Sequence, residues 1–222
     1  MNYTRLGKTG LTVSRLGFGG MRFPMGSDGR VDRAIAIPLL HRAVERGVNY
    51  FDTAIGYCNG DSQRVFGEAF AGLPRDRLVL STKNSLHEAS LDDWWRRLEE
   101  SLTLLQTDHI DLYHFHGISW EIYTRFLEGP GGKLKAMQKA KDQGLVRHIC
   151  CSFHDSCDAL IRLIDTGHFD VITLQYNLLF RDLEKGIERA RETNTGIVVM
   201  GPVGGGRLGV DSERIRQLTG QA

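Results

Sequence analysis

Apolar residues along this chain fall into short runs separated by stretches of helical period. The runs RLGFGG (15–20), VNYFDT (48–53), RLVLSTK (77–83), IDLYHFH (110–116), RHICCS (147–152), DVITLQY (170–176) and GIVVMG (196–201) predict seven strands. Between them, SLDDWWRRLEESLTLLQ is the clearest helix. Leu91, Trp94, Trp95, Leu98, Leu102 and Leu105 recur there at i, i+3, i+4, i+7 spacing, and Ser90 with Asp93 makes a capping start. Weaker helical patterns cover 32–46, 61–71, 133–143, 156–166 and 182–195, each between two strands. A strict β, α, β, α order means a parallel sheet, because parallel neighbours need crossovers and these crossovers are helical.

Parallel strands with helical crossovers can form an open doubly wound sheet or a closed barrel, and both put function at the strand C-termini. Polar residues close five strands in turn: Asp52, Lys83, His116, Ser152 and Gln175. An open sheet would concentrate such residues at its switch point, whereas a barrel converges all of them on one mouth. The expected fold is therefore an α/β (β/α)8 TIM-type barrel. The opening YTRLGKTGLTVS, with turn residues between two β-prone pieces, predicts an N-terminal hairpin placed to plug the barrel floor. After Gly201 only about two dozen residues remain, too few for an eighth strand and helix, so the barrel is expected to stop after the seventh strand. With no linker, low-complexity tract or repeat, residues 1–222 read as a single domain, incomplete at its C-terminus.

Composition narrows the partners. Lys plus Arg number 28 against 27 Asp plus Glu with no single-sign block, so nothing points to nucleic acid. The four cysteines, Cys58, Cys150, Cys151 and Cys157, form no CxxC pair, which implies reduced thiols. Cys150 and Cys151 are expected on opposite faces of one strand. The polar start and the short apolar runs imply neither signal peptide nor membrane span, and the expected location is cytoplasmic. Oligomeric state is not legible.

Asp52, Lys83 and His116 come from the ends of three successive strands, and Tyr57 follows Asp52 by five residues. A phenol titrates near ~10, too high for an efficient acid at neutral pH, but an adjacent ammonium favours its ionised form. Lys83 would supply that ammonium, Asp52 the counter-charge that keeps the lysine protonated, and His116 a hydrogen bond to a substrate carbonyl. Taken singly each has a plainer reading: a strand-end Asp caps a helix, a Tyr is half-buried surface, a His sits satisfied in a core. Four such groups on successive strand ends make the joint reading the stronger one.

The motifs FDTAIGY, LSTKN, DLYHFHG, VRHICCSFHD, LQYN and MGPVGGGRLG, with the opening YTRLGKTGLTVSRLGFGGMRF, resemble in order those of the aldo-keto reductase family. They resemble especially its bacterial branch that often carries a C-terminal ferredoxin-like iron–sulfur domain, whose cysteine pattern is absent here. The resemblance implies reduction of an aldehyde or ketone by NAD(P)H. It implies a tetrad of Asp52, Tyr57, Lys83 and His116, with Tyr57 as general acid, and a cofactor, NADPH with NADH possible, lying across the strand ends. Gly20 and Met21 fall beside the nicotinamide end, where Asp52 also lies, and Ser152 and Gln175 where the carboxamide is held. Met200 falls where relatives stack an aromatic, and Gly201 and Val203 along the pyrophosphate. Three positions depart from the pattern: Phe153 replaces a common asparagine, Gln63 a glutamate and Cys58 a glycine.

Two alternatives stand beside this reading. A chain ending after seven strands can be a nucleotide-binding or degenerate homologue that turns over little. His114 and His116, two apart on one strand face, can begin the metal site of a hydrolase, with Asp52, Lys83 and His154 near. No further ligand set with sensible spacing completes that shell, so no metal is assigned, and His114 is as readily a filler beneath His116. Gly204, Gly206 and Gly209 satisfy GxGxxG, but too little chain follows for the βαβ unit that gives the motif meaning, and a glycine loop near phosphate is the better reading. Trp120 and Tyr123, exposed-looking aromatics on a short helical turn, can line a substrate pocket or as readily pack on the neighbouring loop, and neither is assigned to the site.

Overall fold

A computed structural model describes residues 1–85, 89–129 and 132–210, together with Glu213, Arg216, Gln217 and Gly220. A two-stranded antiparallel hairpin, β1 (Tyr3–Arg5) and β2 (Thr12–Ser14), precedes a seven-stranded parallel sheet. The sheet runs in chain order: β3 (Phe18–Gly19), β4 (Tyr50–Asp52), β5 (Val79–Asn84), β6 (Ile110–Ile118), β7 (Val146–Phe153), β8 (Val171–Gln175) and β9 (Gly196–Met200). Helices fill the crossovers: α1 (Arg33–Glu45), α2 (Ser62–Phe70), α3 (Leu91–Leu105), a short α4 (Trp120–Ile122) continued by a π-helical turn (Tyr123–Leu127), α5 (Lys133–Asp142), α6 (Cys157–Asp165) and α7 (Glu184–Glu192). The sheet is strongly curled, because side chains one strand apart meet across its concave face: His114 of β6 hydrogen-bonds Thr173 of β8. The seven strands, six principal helices and hairpin lie where the hydrophobic pattern predicts them. The predicted first barrel strand shrinks to Phe18–Gly19.

Local signals explain the element ends. Ser90 caps α3 by accepting from the Asp93 amide at 3.1 Å, and Ser156 and Asp32 cap α6 and α1 in the same way. Trp94, Leu98 and Leu105 of α3 bury against the convex side of the sheet, whereas Leu91 at its first turn stays exposed. Of the two readings of Tyr123, the structure shows packing rather than a pocket wall. It is wholly buried against Phe169, with its hydroxyl 2.7 Å from His168 Nδ1, so it belongs to the packing under the β6 loop.

The concave face is layered with the two-residue period of the strands. Its lowest layer is apolar: Tyr50, Val79, Leu112, Cys150 and Val171, closed from below by Leu6 and Val13 of the hairpin region. Each such large side chain contributes roughly 1.5–3 kcal/mol when fully buried. The hairpin thus plugs the floor as predicted. Its turn sits hard against the start of β9: the Lys8 amide donates to the Asn194 carbonyl at 2.7 Å, and a Cβ at Gly7 would lie 2.3 Å from the Gly196 nitrogen. Cys151, next to Cys150, faces the other way into the core between sheet and helices. The two cysteines therefore alternate faces.

Candidate active site at the strand C-termini

One layer above the apolar floor the concave face turns polar. Asp52 pairs in register with Ser81, and Lys83 with His114, while Thr173 meets His114 across the curl. Lys83 is 2% exposed, deep enough that its ammonium requires partners. It has two: Asp52 Oδ1 at 2.5 Å and the Thr53 carbonyl at 2.8 Å. The other carboxylate oxygen of Asp52 accepts from Ser81 Oγ at 2.8 Å. The lysine ammonium also lies 4.9 Å from the centroid of the Tyr57 ring, and that ring meets His116 edge-on at 5.9 Å. The four residues singled out in the sequence are therefore gathered at one mouth, with the lysine between carboxylate and phenol.

Tyr57 reaches this position on a tight loop between β4 and α2. Cys58, Asn59 and Gly60 all adopt left-handed backbone, with φ of 53°, 57° and 85°. Such geometry costs a non-glycine residue roughly 1–2 kcal/mol and has to be held by its surroundings. Here Asn59 Nδ2 donates to the Gly29 carbonyl at 3.0 Å, and the Cys58 thiol donates to the carbonyls of Gly20 and Met21, each at 3.4 Å. Asp61 closes the loop by accepting from the Val31 amide at 2.9 Å and from the Arg33 guanidinium, whose hydrogen bond holds its carboxyl below the usual range. The departure from glycine at Cys58 is thus accommodated within a strained turn.

The other predicted positions line the same rim. Gly20 is buried, its amide donating to the Asp52 carbonyl at 2.8 Å, and a Cβ there would lie 2.3 Å from the Phe66 ring. Met21, Gln175, Gly201 and Val203 are exposed and Met200 partly so. Ser152 is buried and accepts from the Gly117 amide at 2.7 Å. Phe153 lies in the core between sheet and helices, so it offers the rim no polar group. Gln63 is equally remote: its amide donates to Thr82 at 2.6 Å and Ser101 at 3.1 Å on the convex side.

His114 is wholly buried, with Nε2 3.1 Å from Thr173 Oγ1. Burial pushes its pKa down to about 3, and the Lys83 charge acts in the same direction, so the imidazole is neutral at ordinary pH. It fills the barrel interior beneath His116. Among the described residues no three His, Cys, Asp or Glu side chains form a metal-binding group. Ser81 and Thr173 went unremarked in the sequence. The signal for Ser81 was its place two residues before Lys83 on the same strand face; Thr173 had no signal short of the curl itself.

Comparison with known proteins accords with this geometry. The chain belongs to the Aldo/keto reductase family, whose sequence model matches residues 15–220. It is 33% identical to the uncharacterized oxidoreductase YrpG of Bacillus subtilis, over 94% of this chain and 68% of that protein. It is 29% identical to an NADH-specific methylglyoxal reductase of Escherichia coli, over 87% of this chain and 64% of that protein. The fold superposes on an aldo/keto reductase of Klebsiella pneumoniae solved with NADP and acetate, with a TM-score of 0.76 at 26% identity over 99% of this chain and 76% of that one. The chain spans about two thirds of the length of these two sequence relatives.

Proposed function

We propose that this chain, acting as a single barrel-type domain, reduces small-molecule aldehydes or ketones with a nicotinamide dinucleotide, Tyr57 serving as general acid. The observation that carries the reading is the position of Lys83, buried between the Asp52 carboxylate and the Tyr57 ring. The ammonium so placed stands against the phenol from which the proton leaves and stabilises the negative charge that develops on its oxygen. Asp52 keeps the ammonium charged in a place too dry to hold it alone. His116, edge-on to Tyr57, is placed to donate a hydrogen bond to the same carbonyl oxygen, orienting it toward the phenol.

The rim suits an extended dinucleotide. Gly201, Gly204, Gly205 and Gly206 all have left-handed φ and carry no side chain, the Gly204 and Gly206 amides donating to the Gly201 and Val203 carbonyls, and the exposed Arg207 follows them. A loop without side chains beside a guanidinium lets a pyrophosphate approach the backbone closely. Gly201 and Val203 would flank that group, Ser152 and Gln175 would hold the carboxamide, and Gly20, Met21, Asp52 and Met200 would surround the nicotinamide. When bound, the dinucleotide supplies the hydride that reaches the carbonyl carbon. Tyr57 delivers a proton to the oxygen, and Lys83 and Asp52 hold the phenol ready for it. NADPH is the favoured form, as NADP accompanies the Klebsiella relative, with NADH the alternative carried by the Escherichia coli one.

Titrating NADPH and NADH by nicotinamide fluorescence, then adding an aldehyde, tests this directly. Tight binding with aldehyde-dependent oxidation is expected. Binding without turnover would point instead to a degenerate nucleotide-binding homologue, and neither would end the proposal.

A further inference from the structure

We infer that Ser81, backed by His114, is a positioning residue that fixes the Asp52 carboxylate so that one oxygen faces Lys83. The inference rests on the reading of Tyr57 and Lys83 given above and extends it to a residue outside the tetrad.

Asp52 sits at the end of a short strand with its side chain 20% exposed, so one contact to Lys83 would leave the carboxylate free to turn toward water. Lys83 has a competing acceptor in the Thr53 carbonyl at 2.8 Å. The second anchor is Ser81, whose hydroxyl donates to Asp52 Oδ2 at 2.8 Å from the paired position on β5. A carboxylate held at both oxygens keeps a defined orientation, and the hydrogen bond is of the stronger, charge-assisted kind.

The proton inventory gives this network one direction. The single hydroxyl proton of Ser81 is spent on Asp52, so toward His114 Nδ1, 3.5 Å away, Ser81 can only accept. Nδ1 then carries the imidazole proton, and Nε2 accepts from Thr173 Oγ1 at 3.1 Å. Donation therefore runs from Thr173 through His114 and Ser81 to Asp52, with each proton in it used once. Ser81, His114 and Thr173 are at most 3% exposed, so water does not compete for these groups. The ionisable groups facing Asp52 are Tyr50 on its own strand, Lys83 on β5, His114 and His116 on β6, and Tyr57 beyond, with Cys150 one layer below. Burial keeps Tyr50, His114 and Cys150 neutral, which leaves the carboxylate and the ammonium as the balanced pair.

Losing the Ser81 hydroxyl frees the Asp52 carboxylate to turn toward water. Lys83 then loses its fixed counter-charge, leans on the Thr53 carbonyl alone and stands less well against Tyr57.

A crystal structure of the full chain carrying Ser81→Ala reads this without cofactor or turnover: the Asp52 carboxylate should be turned away from Lys83 or split between orientations. In aldehyde reduction Ser81→Ala should lower kcat by about threefold or more with the KM for the dinucleotide unchanged. Ser81→Thr, which keeps the hydroxyl, should return the carboxylate and kcat to the parent state. Thr82→Ala, which removes an equally buried hydroxyl from the opposite face of β5, should leave both unmoved. An Asp52 carboxylate still seated on Lys83 in Ser81→Ala, or the same displacement in Ser81→Thr or Thr82→Ala, overturns the inference. If Ser81→Ala does not fold, Ser81→Cys, which keeps the volume and weakens the donor, is read by the same criterion. Failure of the parent to oxidise NADPH or NADH with an aldehyde sinks the reductase reading alone, since the crystal structures stand without it.

Discussion

Lys83 Nζ lies 2.5 Å from Asp52 Oδ1 and 4.9 Å from the centroid of the Tyr57 ring, so one buried cation is shared between a carboxylate and a phenol. Neither neighbour is close in sequence to the lysine. The contact exists because β4 and β5 pair in parallel with Asp52 opposite Ser81, which sets Lys83 one layer higher on the same face.

Tyr57→Phe removes the proposed proton donor and nothing that packs. Carbonyl-dependent turnover should fall by ~10²–10⁴-fold, with nicotinamide dinucleotide affinity kept within about twofold. Steady-state kinetics beside fluorescence titration check this, and a variant reducing aldehydes at the parent rate would show the assignment to be wrong.

Breaking the ion pair should separate stability from function. Lys83→Met leaves Asp52 without its cation and should destabilise the fold by about 1–3 kcal/mol, less than for a fully buried pair because the carboxylate reaches solvent. Adding Asp52→Asn should recover much of that loss in urea unfolding. Neither variant should regain turnover, since both lack the ammonium beside Tyr57.

His114 makes stability depend on acid. Its folded pKa, near 3, lies below the ~6.5 of an unfolded histidine, so below about pH 6.5 the unfolded chain binds the extra proton. Stability should therefore fall with decreasing pH between about 6.5 and 3, by up to ~1.4 kcal/mol per pH unit from this group. Urea midpoints compared across that window should show a shallower slope in His114→Gln, and an unchanged slope would refute the burial argument.

The floor plug can be tested at two glycines with the same backbone requirement. Gly7 and Gly10 have φ of 50° and 77°, yet a Cβ at Gly10 meets nothing within 4 Å while one at Gly7 would lie 2.3 Å from the Gly196 nitrogen. Gly10→Ala should cost only the left-handed penalty, about 1 kcal/mol. Gly7→Ala should cost at least a further ~1–3 kcal/mol as the turn is forced off β9, read as a lower thermal midpoint.

Much of this was open to a reader of the chain. Strand positions followed from short β-branched runs and α3 from its Leu and Trp spacing, because both periods are local properties. Asp52, Tyr57, Lys83 and His116 stood out as polar groups where apolar runs stop, and the family motifs around them implied the roles proposed for them. Less was visible where chemistry and packing use the same residue types. Tyr123 stayed open between pocket and packing because a helical turn does not say which side the rest of the fold covers, and Phe169 and His168, which cover it, come from a later loop. Ser81 passed unnoticed because a serine inside a strand carries no signal until its partner is known.

The residues themselves determined the order of elements, the alternation of Cys150 and Cys151 and the presence of a lysine where a barrel mouth is dry, all consequences of period and polarity along one dimension. Only the curl of the sheet decided that the interior turns from apolar to polar between Tyr50 and Asp52, and that His114 meets Thr173 across an intervening strand. Hydrogen bonds between non-adjacent strands depend on distances no linear pattern encodes, because they exist only where the sheet curls back on itself.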